Sequence, residues 1–260
     1  MAPEDMAPED MAPGGMAPED MAPEGMAPEG MAPEDMATRV LLQTTLLYVI
    51  LGACLFVAAG DTRWPQAWIF LTEAEVCSLA VGFWLARHDP ALLKHRLSVP
   101  FHGNQQPWDR LFLAVALAGF ASWMVLMALD ARRFRWSHST PWTEAPGAVL
   151  IALCMALVSL VFRYNSFAAP QVRLLPESGQ HVVTAGPYRI VRHPMYATAL
   201  LYFLGVPLLL GSWWGLLPVP FFMAAFGVRA IGEERMLRQA LPGYDEYARR
   251  VRSRLFPGVW

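Results

Sequence analysis

Cysteine is nearly absent from this chain. Its 260 residues hold three, Cys54, Cys77 and Cys154, each inside an apolar run and none at Cys-x-x-Cys spacing. A disulfide framework or a cysteine-built metal cage is thereby excluded, and the three read as small buried hydrophobes. Histidine offers no metal site either: His88, His95, His102 and His138 lie in loops beside Pro, Asp and Arg, His181 stands apart, and no spacing matches a helical metal pair. Strands of alternating polarity are missing, and with them the glycine-rich turn after a strand, the phosphate-binding loop and the nucleophile elbow. Charge is thin at 16%, whereas 55% of the residues are hydrophobic, the tryptophans number 10 and the mean hydropathy is +0.31. That balance belongs to a membrane protein rather than a soluble domain.

The average joins two unlike parts. Residues 1–35 are seven pentapeptides, Met-Ala-Pro followed by Glu-Asp, Glu-Gly or Gly-Gly, with ten acids and no base. From Met36 onward 12 acids face 20 bases, so the domain at 36–260 carries +8 although the whole chain sums to -2. A five-residue period matches neither helix nor strand, each copy holds a proline without a backbone donor, and none has enough apolar surface to offset chain entropy. The segment reads as a disordered acidic tail, either an interaction arm or an expanded repeat ahead of a start at Met36. It lacks the basic-then-apolar order of a signal peptide.

Four long apolar runs follow, at about Val40 to Gly60, Trp68 to Leu85, Leu111 to Leu129 and Gly147 to Ala168. At roughly 1.5 Å per residue, runs near 20 residues cross a hydrocarbon core of roughly 30 Å. A fifth run, Ala197 to Leu210, is shorter, and the turn Gly211-Ser212-Trp213-Trp214-Gly215 separates it from a sixth, Leu216 to Ile231, interrupted by Pro218 and Pro220. The last pair is expected to form a hairpin of tilted, broken or partly re-entrant helices, tolerable where neighbours satisfy the freed backbone groups. The predicted fold is therefore all-α: a polytopic transmembrane helix bundle of four long spans plus a C-terminal helical hairpin. Lys and Arg fall unequally on alternate loops, 16 on the side of both termini and 4 on the other. This bias predicts a multi-pass protein with both termini and the 169–187 loop in the cytoplasm, in the inner membrane if the source is bacterial.

The densest chemistry lies in Gly186-Pro187-Tyr188-Arg189-Ile190-Val191-Arg192-His193-Pro194-Met195-Tyr196, directly against the fifth apolar run. Pro194 suits the first turn of a helix, so that segment is expected to begin at the motif, with free amides able to accept a carboxylate or phosphate. One account makes Arg192 a snorkelling side chain, His193 a cap and Tyr188 and Tyr196 an interfacial belt; the other makes them a polar ligand site beside lipid. Glu233 and Glu234 are placed where the last span is expected to end, a position the helix dipole disfavours for acids. Their partners are either Arg229 and Arg238, each four residues away, or a bound cation or sugar hydroxyls.

Together with the Glu233-Glu234 pair and the trailing Gly243-Tyr244-Asp245-Glu246-Tyr247, the motif resembles the isoprenylcysteine carboxyl methyltransferase and phospholipid methyltransferase superfamily of integral membrane enzymes. The likeness is specific over about residues 160–260, which makes this the expected catalytic half, and architectural before that. It implies S-adenosylmethionine as methyl donor, bound at a cytoplasmic cofactor site. Tyr188, His193, Tyr196, Glu233 and Glu234 map onto cofactor-binding positions, and Arg192 onto a neighbouring or catalytic one. Many relatives carry a glycine two residues after the motif tyrosine; this chain has Thr198, which predicts weaker donor affinity or a wider pocket if the glycine serves close packing. The same shape also resembles the C-terminal part of membrane sterol reductases, which use NADPH.

Methyl transfer from a sulfonium needs an in-line nucleophile and a desolvated site, and no covalent enzyme intermediate. The missing motifs therefore do not argue against it. The acceptor is expected to be a lipophilic or small membrane-permeant molecule bearing a carboxylate, amine or thiol; a carboxylate needs no base, the others must first lose a proton. Glu73 and Glu75 interrupt the second apolar run, where an acid is costly, so at least one should face a polar cavity or the bundle interior. Glu73 is accordingly a candidate catalytic residue, or else one of the pair approaches an interface. The arginines at 249, 250, 252 and 254, with Leu255, Phe256 and Trp260, are expected to meet anionic headgroups or help close the pocket, which speaks against nucleic-acid binding. A metal is not expected. The alternatives that stay open are an NADPH-dependent membrane reductase and a non-enzymatic membrane protein.

Overall fold

The computed structural model describes residues 33–97, 107–168 and 180–260. His102, Arg173, the repeat tail through residue 32 and positions 169–179 of the expected cytoplasmic loop lie outside the described residues. The described regular structure is helical throughout: α1 (Pro33–Ala59), α2 (Pro65–His88), α3 (Pro90–Leu97), α4 (Pro107–Ala128) continued by a π turn (Leu129–Phe134), α5 (Pro141–Tyr164), α6 (Pro194–Leu210), α7 (Val219–Ala240) and α8 (Tyr244–Arg250). The helices α1 to α6 all open on a proline, whose missing donor costs nothing in the first turn and whose fixed φ is already helical. The same rule corrects the expectation for the sixth apolar run. Pro218 is the N-cap of α7 and Pro220 lies in its first turn, so these prolines start the helix rather than break it.

Five helices are long and apolar enough to cross a membrane: α1, α2, α4 with its π turn, α5, and α7 with the turn before it. At 17 residues α6 is shorter. Their outer faces leave large apolar side chains uncovered, among them Ile50, Val57, Val115, Val149 and Phe221. In water such a surface would aggregate; in a bilayer it meets lipid. The first helix begins at Pro33, so it takes in the last three residues of the segment expected to be the tail.

The core is built around Trp123, Phe70, Leu55, Met124, Met127, Ile151, Val206 and Leu210. Within it α5 and α6 cross almost backbone to backbone. A Cβ on Gly147 would lie 2.4 Å from the Leu209 amide nitrogen, and one on Gly205 would lie 2.8 Å from the Gly147 carbonyl. Small residues permit this approach, which is how helices gain dispersion contact where lipid offers no hydrophobic driving force. At the end away from the motif, Gly211 closes α6 in the left-handed region (φ 80°), and the Trp123 indole donates to the Gly215 carbonyl at 2.7 Å. Asp130 on the π turn accepts from Ser137 (2.7 Å) and from Ser212, which fixes the turn between α6 and α7.

α7 runs through Ala240, well past Ile231, so Glu233 and Glu234 sit inside the helix rather than at its end. Neither partner proposed for them from spacing is used by them. Arg229 pairs with Asp109 of α4 at 3.0 Å, and Arg238 pairs with Asp245 of α8. All three cysteines are free thiols.

Candidate functional site

The motif is a bent connector with its own short 3-10 turn (Gly186–Arg189) before α6. Gly186 has φ +56°, and a Cβ there would lie 2.5 Å from the Tyr164 ring at the end of α5, so only glycine fits. Asn165 Nδ2 donates to the Tyr188 hydroxyl at 2.6 Å, and the Tyr247 hydroxyl donates to the Tyr188 carbonyl at 2.9 Å. Burial pushes the Tyr188 phenol up to about 12 and raises those of Tyr244 and Tyr247 as well. All three stay protonated across physiological pH, acting as hydrogen-bond groups rather than bases.

Two further connections lock the motif to the segment after α8. The amides of Arg192 and His193 donate to the carbonyls of Ser253 (3.0 Å) and Arg254 (2.9 Å). The chain's own C-terminal strap thus occupies both amides just ahead of α6. Arg192 Nη1 then donates to the carbonyls of Val251 (2.7 Å) and Arg252 (2.8 Å), while its Nε meets Glu234 Oε1 at 2.7 Å. Glu234 also meets His193 Nε2 at 3.3 Å and Arg254 Nε at 3.2 Å. At 3% exposure it is a buried hub joining α7, the motif and the strap.

Glu233, one position on, faces differently. It accepts from the Tyr196 hydroxyl at 2.8 Å, lies 3.7 Å from His193 Nδ1 and remains 27% exposed. The His193 and Tyr196 rings are stacked 5.4 Å apart, and Tyr196 stacks in turn on Phe226 of α7.

Between these elements lies a cleft with about 870 Å³ of empty space, part of it open to solvent. Of the residues expected at the site, Tyr188, Arg192, His193, Tyr196 and Glu233 line it. Glu234 does not; it stands behind the wall and holds it. Arg192 lines the cleft with its guanidinium tied on two sides, which makes it a clamp on the strap before anything else. Glu73 is elsewhere. It lies about 22 Å along α2 from the motif end, at roughly 1.5 Å per residue from His88, with Oε2 buried and unpartnered. Glu75 accepts from Thr45 of α1 at 2.9 Å. The structure does not bring Glu73, expected from sequence as a catalytic candidate, to this cleft: helix rise alone separates the two.

Thr198 is not in the cleft wall either. Its hydroxyl donates back to the Met195 carbonyl at 2.9 Å, and it lies against the Cys154 thiol of α5. Residues not assigned to the site from sequence also line it: Asn165, His181, Met236, Tyr244 and Tyr247. The two tyrosines belong to the trailing Gly-Tyr-Asp-Glu-Tyr segment, which carried a usable signal. Asn165 and His181 carried none, since they reach the cleft only through tertiary packing. Among the described residues no group of acids, histidines and cysteines could hold a metal ion.

No curated protein matches the chain. Residues 142–242, from the start of α5 to just past α7, match the family model described as phospholipid methyltransferase. That interval contains the motif, the stacked rings and both acids of the pair. It favours neither the reductase nor a non-enzymatic role. In a chain with five helices long and apolar enough to span a bilayer, this segment is similar to the phospholipid methyltransferase family, part of the superfamily of integral membrane methyltransferases.

Proposed function

We propose that the protein transfers a methyl group from S-adenosylmethionine to a lipophilic or small membrane-permeant acceptor, in the cleft between the motif, α7 and α8. The observation that carries this reading is the placement of Glu233. It is the one acid among the described residues lining the cleft, it is fixed by the Tyr196 hydroxyl, and it is flanked by aromatic rings. A carboxylate and π faces in a partly dry site suit a cationic ligand. When bound, S-adenosylmethionine supplies a methyl group on a sulfonium, whose carbon–sulfur electron pair stays with sulfur as a neutral thioether.

The chain's own groups supply the rest. Glu233 and Tyr196 hold the cation, and Tyr188, Tyr244 and Tyr247 offer hydroxyls and ring faces. Arg192 and Glu234 keep the strap closed over them and exclude water. His193, between both acids, is the group in the cleft placed to take a proton from an amine or thiol acceptor; a carboxylate acceptor would leave it a purely positional role.

Calorimetric titration of the purified protein with S-adenosylmethionine tests the reading. Glu233→Gln should weaken binding about tenfold to more than a hundredfold, the worth of a charged hydrogen bond of roughly 1.5–3 kcal/mol, without lowering thermal stability. Binding to the parent that is absent, or unchanged in the variant, rejects the site. The charge bias of the loops, 16 against 4, supports a cytoplasmic location for the cleft. Reporter fusions after Trp260 and within residues 132–141 should report opposite sides of the membrane, the first cytoplasmic. If both report one side, that placement is wrong.

A further inference from the structure

The cations around this cleft are sorted. Arg192 and Arg254 are drawn to Glu234, behind the wall. Arg229 lies one turn before Glu233 on α7, the spacing at which an arginine and a glutamate ordinarily meet across a helix face. It turns away instead. Its guanidinium lies 3.0 Å from the Asp109 carboxylate in the first turn of α4, over the Phe112 ring at 4.7 Å and beneath the Tyr196 ring at 5.9 Å. Both partners are withdrawn from solvent, with side-chain exposures of 6% and 0%. Among the described residues no arginine or lysine forms an ion pair with Glu233.

Burying an ion pair is costly, and apolar residues of similar volume often serve stability as well. The pair at this place has a consequence apolar residues would not share. Asp109 lies outside the interval matched to the family, on a helix none of whose described residues lines the cleft, yet its carboxylate pairs with the positive charge beneath Tyr196. We propose that Asp109 is a positioning residue for ligand charge: by holding Arg229 off Glu233, it leaves the cleft's carboxylate to a cationic sulfonium and sets its preference for that ligand over the neutral thioether product. The inference rests on the function proposed above. Without Asp109, Arg229 can turn to Glu233 or keep its charge beneath the Tyr196 ring with one carboxylate fewer beside it. Either outcome repels a cation and hardly touches a neutral ligand.

The readout is therefore a ratio of affinities, for S-adenosylmethionine over S-adenosylhomocysteine, measured by calorimetry on full-length protein in lipid nanodiscs. Asp109→Asn should lower this ratio about tenfold. The double variant Asp109→Asn with Arg229→Gln, which removes both charges and keeps the volume, should return it to within about twofold of the parent. Arg229→Gln alone should not lower it. A purely structural pair would weaken both ligands alike, so an unchanged ratio in Asp109→Asn overturns the proposal, as does a double variant as poor as the single one. Should Asp109→Asn fail to insert, Arg229→Gln carries the test, and a fallen ratio there overturns it. A parent that binds neither ligand would instead reject the proposed function itself.

Discussion

Glu234→Gln is expected to be the most damaging single change at the motif end of the bundle, although Glu234 does not line the cleft. Its carboxylate is shared by Arg192 at 2.7 Å, Arg254 at 3.2 Å and His193 at 3.3 Å, and it is 3% exposed. Removing one member of a buried ionic group leaves the others desolvated and uncompensated, at a cost of about 3–5 kcal/mol. The loss should spread, because Arg192 also holds the carbonyls of Val251 and Arg252. Both stability and donor affinity should fall, the affinity by about a hundredfold or more, whereas Glu233→Gln should lose affinity alone. Arg238→Ala is the control. Its partner is Asp245, both side chains are largely exposed, and an exposed pair contributes at most about 1 kcal/mol and nothing to the cleft. Thermal unfolding followed by tryptophan fluorescence, paired with calorimetry, separates the three variants. A Glu234→Gln protein with the parent's midpoint and affinity would remove the hub from the account.

The second large effect lies in the bundle and has no chemistry in it. Gly147→Ala should destabilise the protein by about 1–3 kcal/mol or more, because the added methyl would stand 2.4 Å from one α6 backbone atom and 2.7 Å from another. Backbone cannot rotate aside as a side chain can, so α5 and α6 must separate and the core around Ile151 and Val206 must open. Gly205→Ala should cost less, since its nearest atom would be 2.8 Å away and its next two are side-chain carbons at 3.0 and 3.1 Å. Gly119→Ala should be neutral or slightly stabilising: its Cβ would find only a Phe222 ring carbon at 3.8 Å, and alanine is the better helix former. Apparent melting temperatures in one detergent should follow that order. If Gly119→Ala costs as much as Gly147→Ala, close approach is not what holds these helices together.

Much of the architecture was legible without coordinates. Apolar runs near 20 residues leave the backbone little choice but helix in a membrane, because every donor and acceptor must be satisfied within its own segment. Pro194 marked the start of α6 for the same local reason that prolines start the five helices before it. The gathering of Tyr188, His193, Tyr196 and Glu233 was also foreseeable in outline, since charged and aromatic residues clustered at the edge of apolar segments must find polar company.

What sequence could not assign were the partners. Arg229 with Glu233 and Arg238 with Glu234 stand at ideal helical spacing, yet Arg229 turns to Asp109 and Arg238 to Asp245, across gaps that spacing does not measure. A pair along one helix is worth only a few tenths of a kcal/mol, so any well-placed group on a neighbouring helix outbids it. Glu73 shows the converse. An acid in an apolar run signals function by default, but its depth along α2 keeps it from the cleft. Composition and local geometry thus determined the helices, where they begin and which residues are chemically equipped. The packing of α4, α6, α7 and the C-terminal strap decided which carboxylate is buried as a hub and which faces the ligand, because that choice depends on through-space distances between segments far apart in the chain.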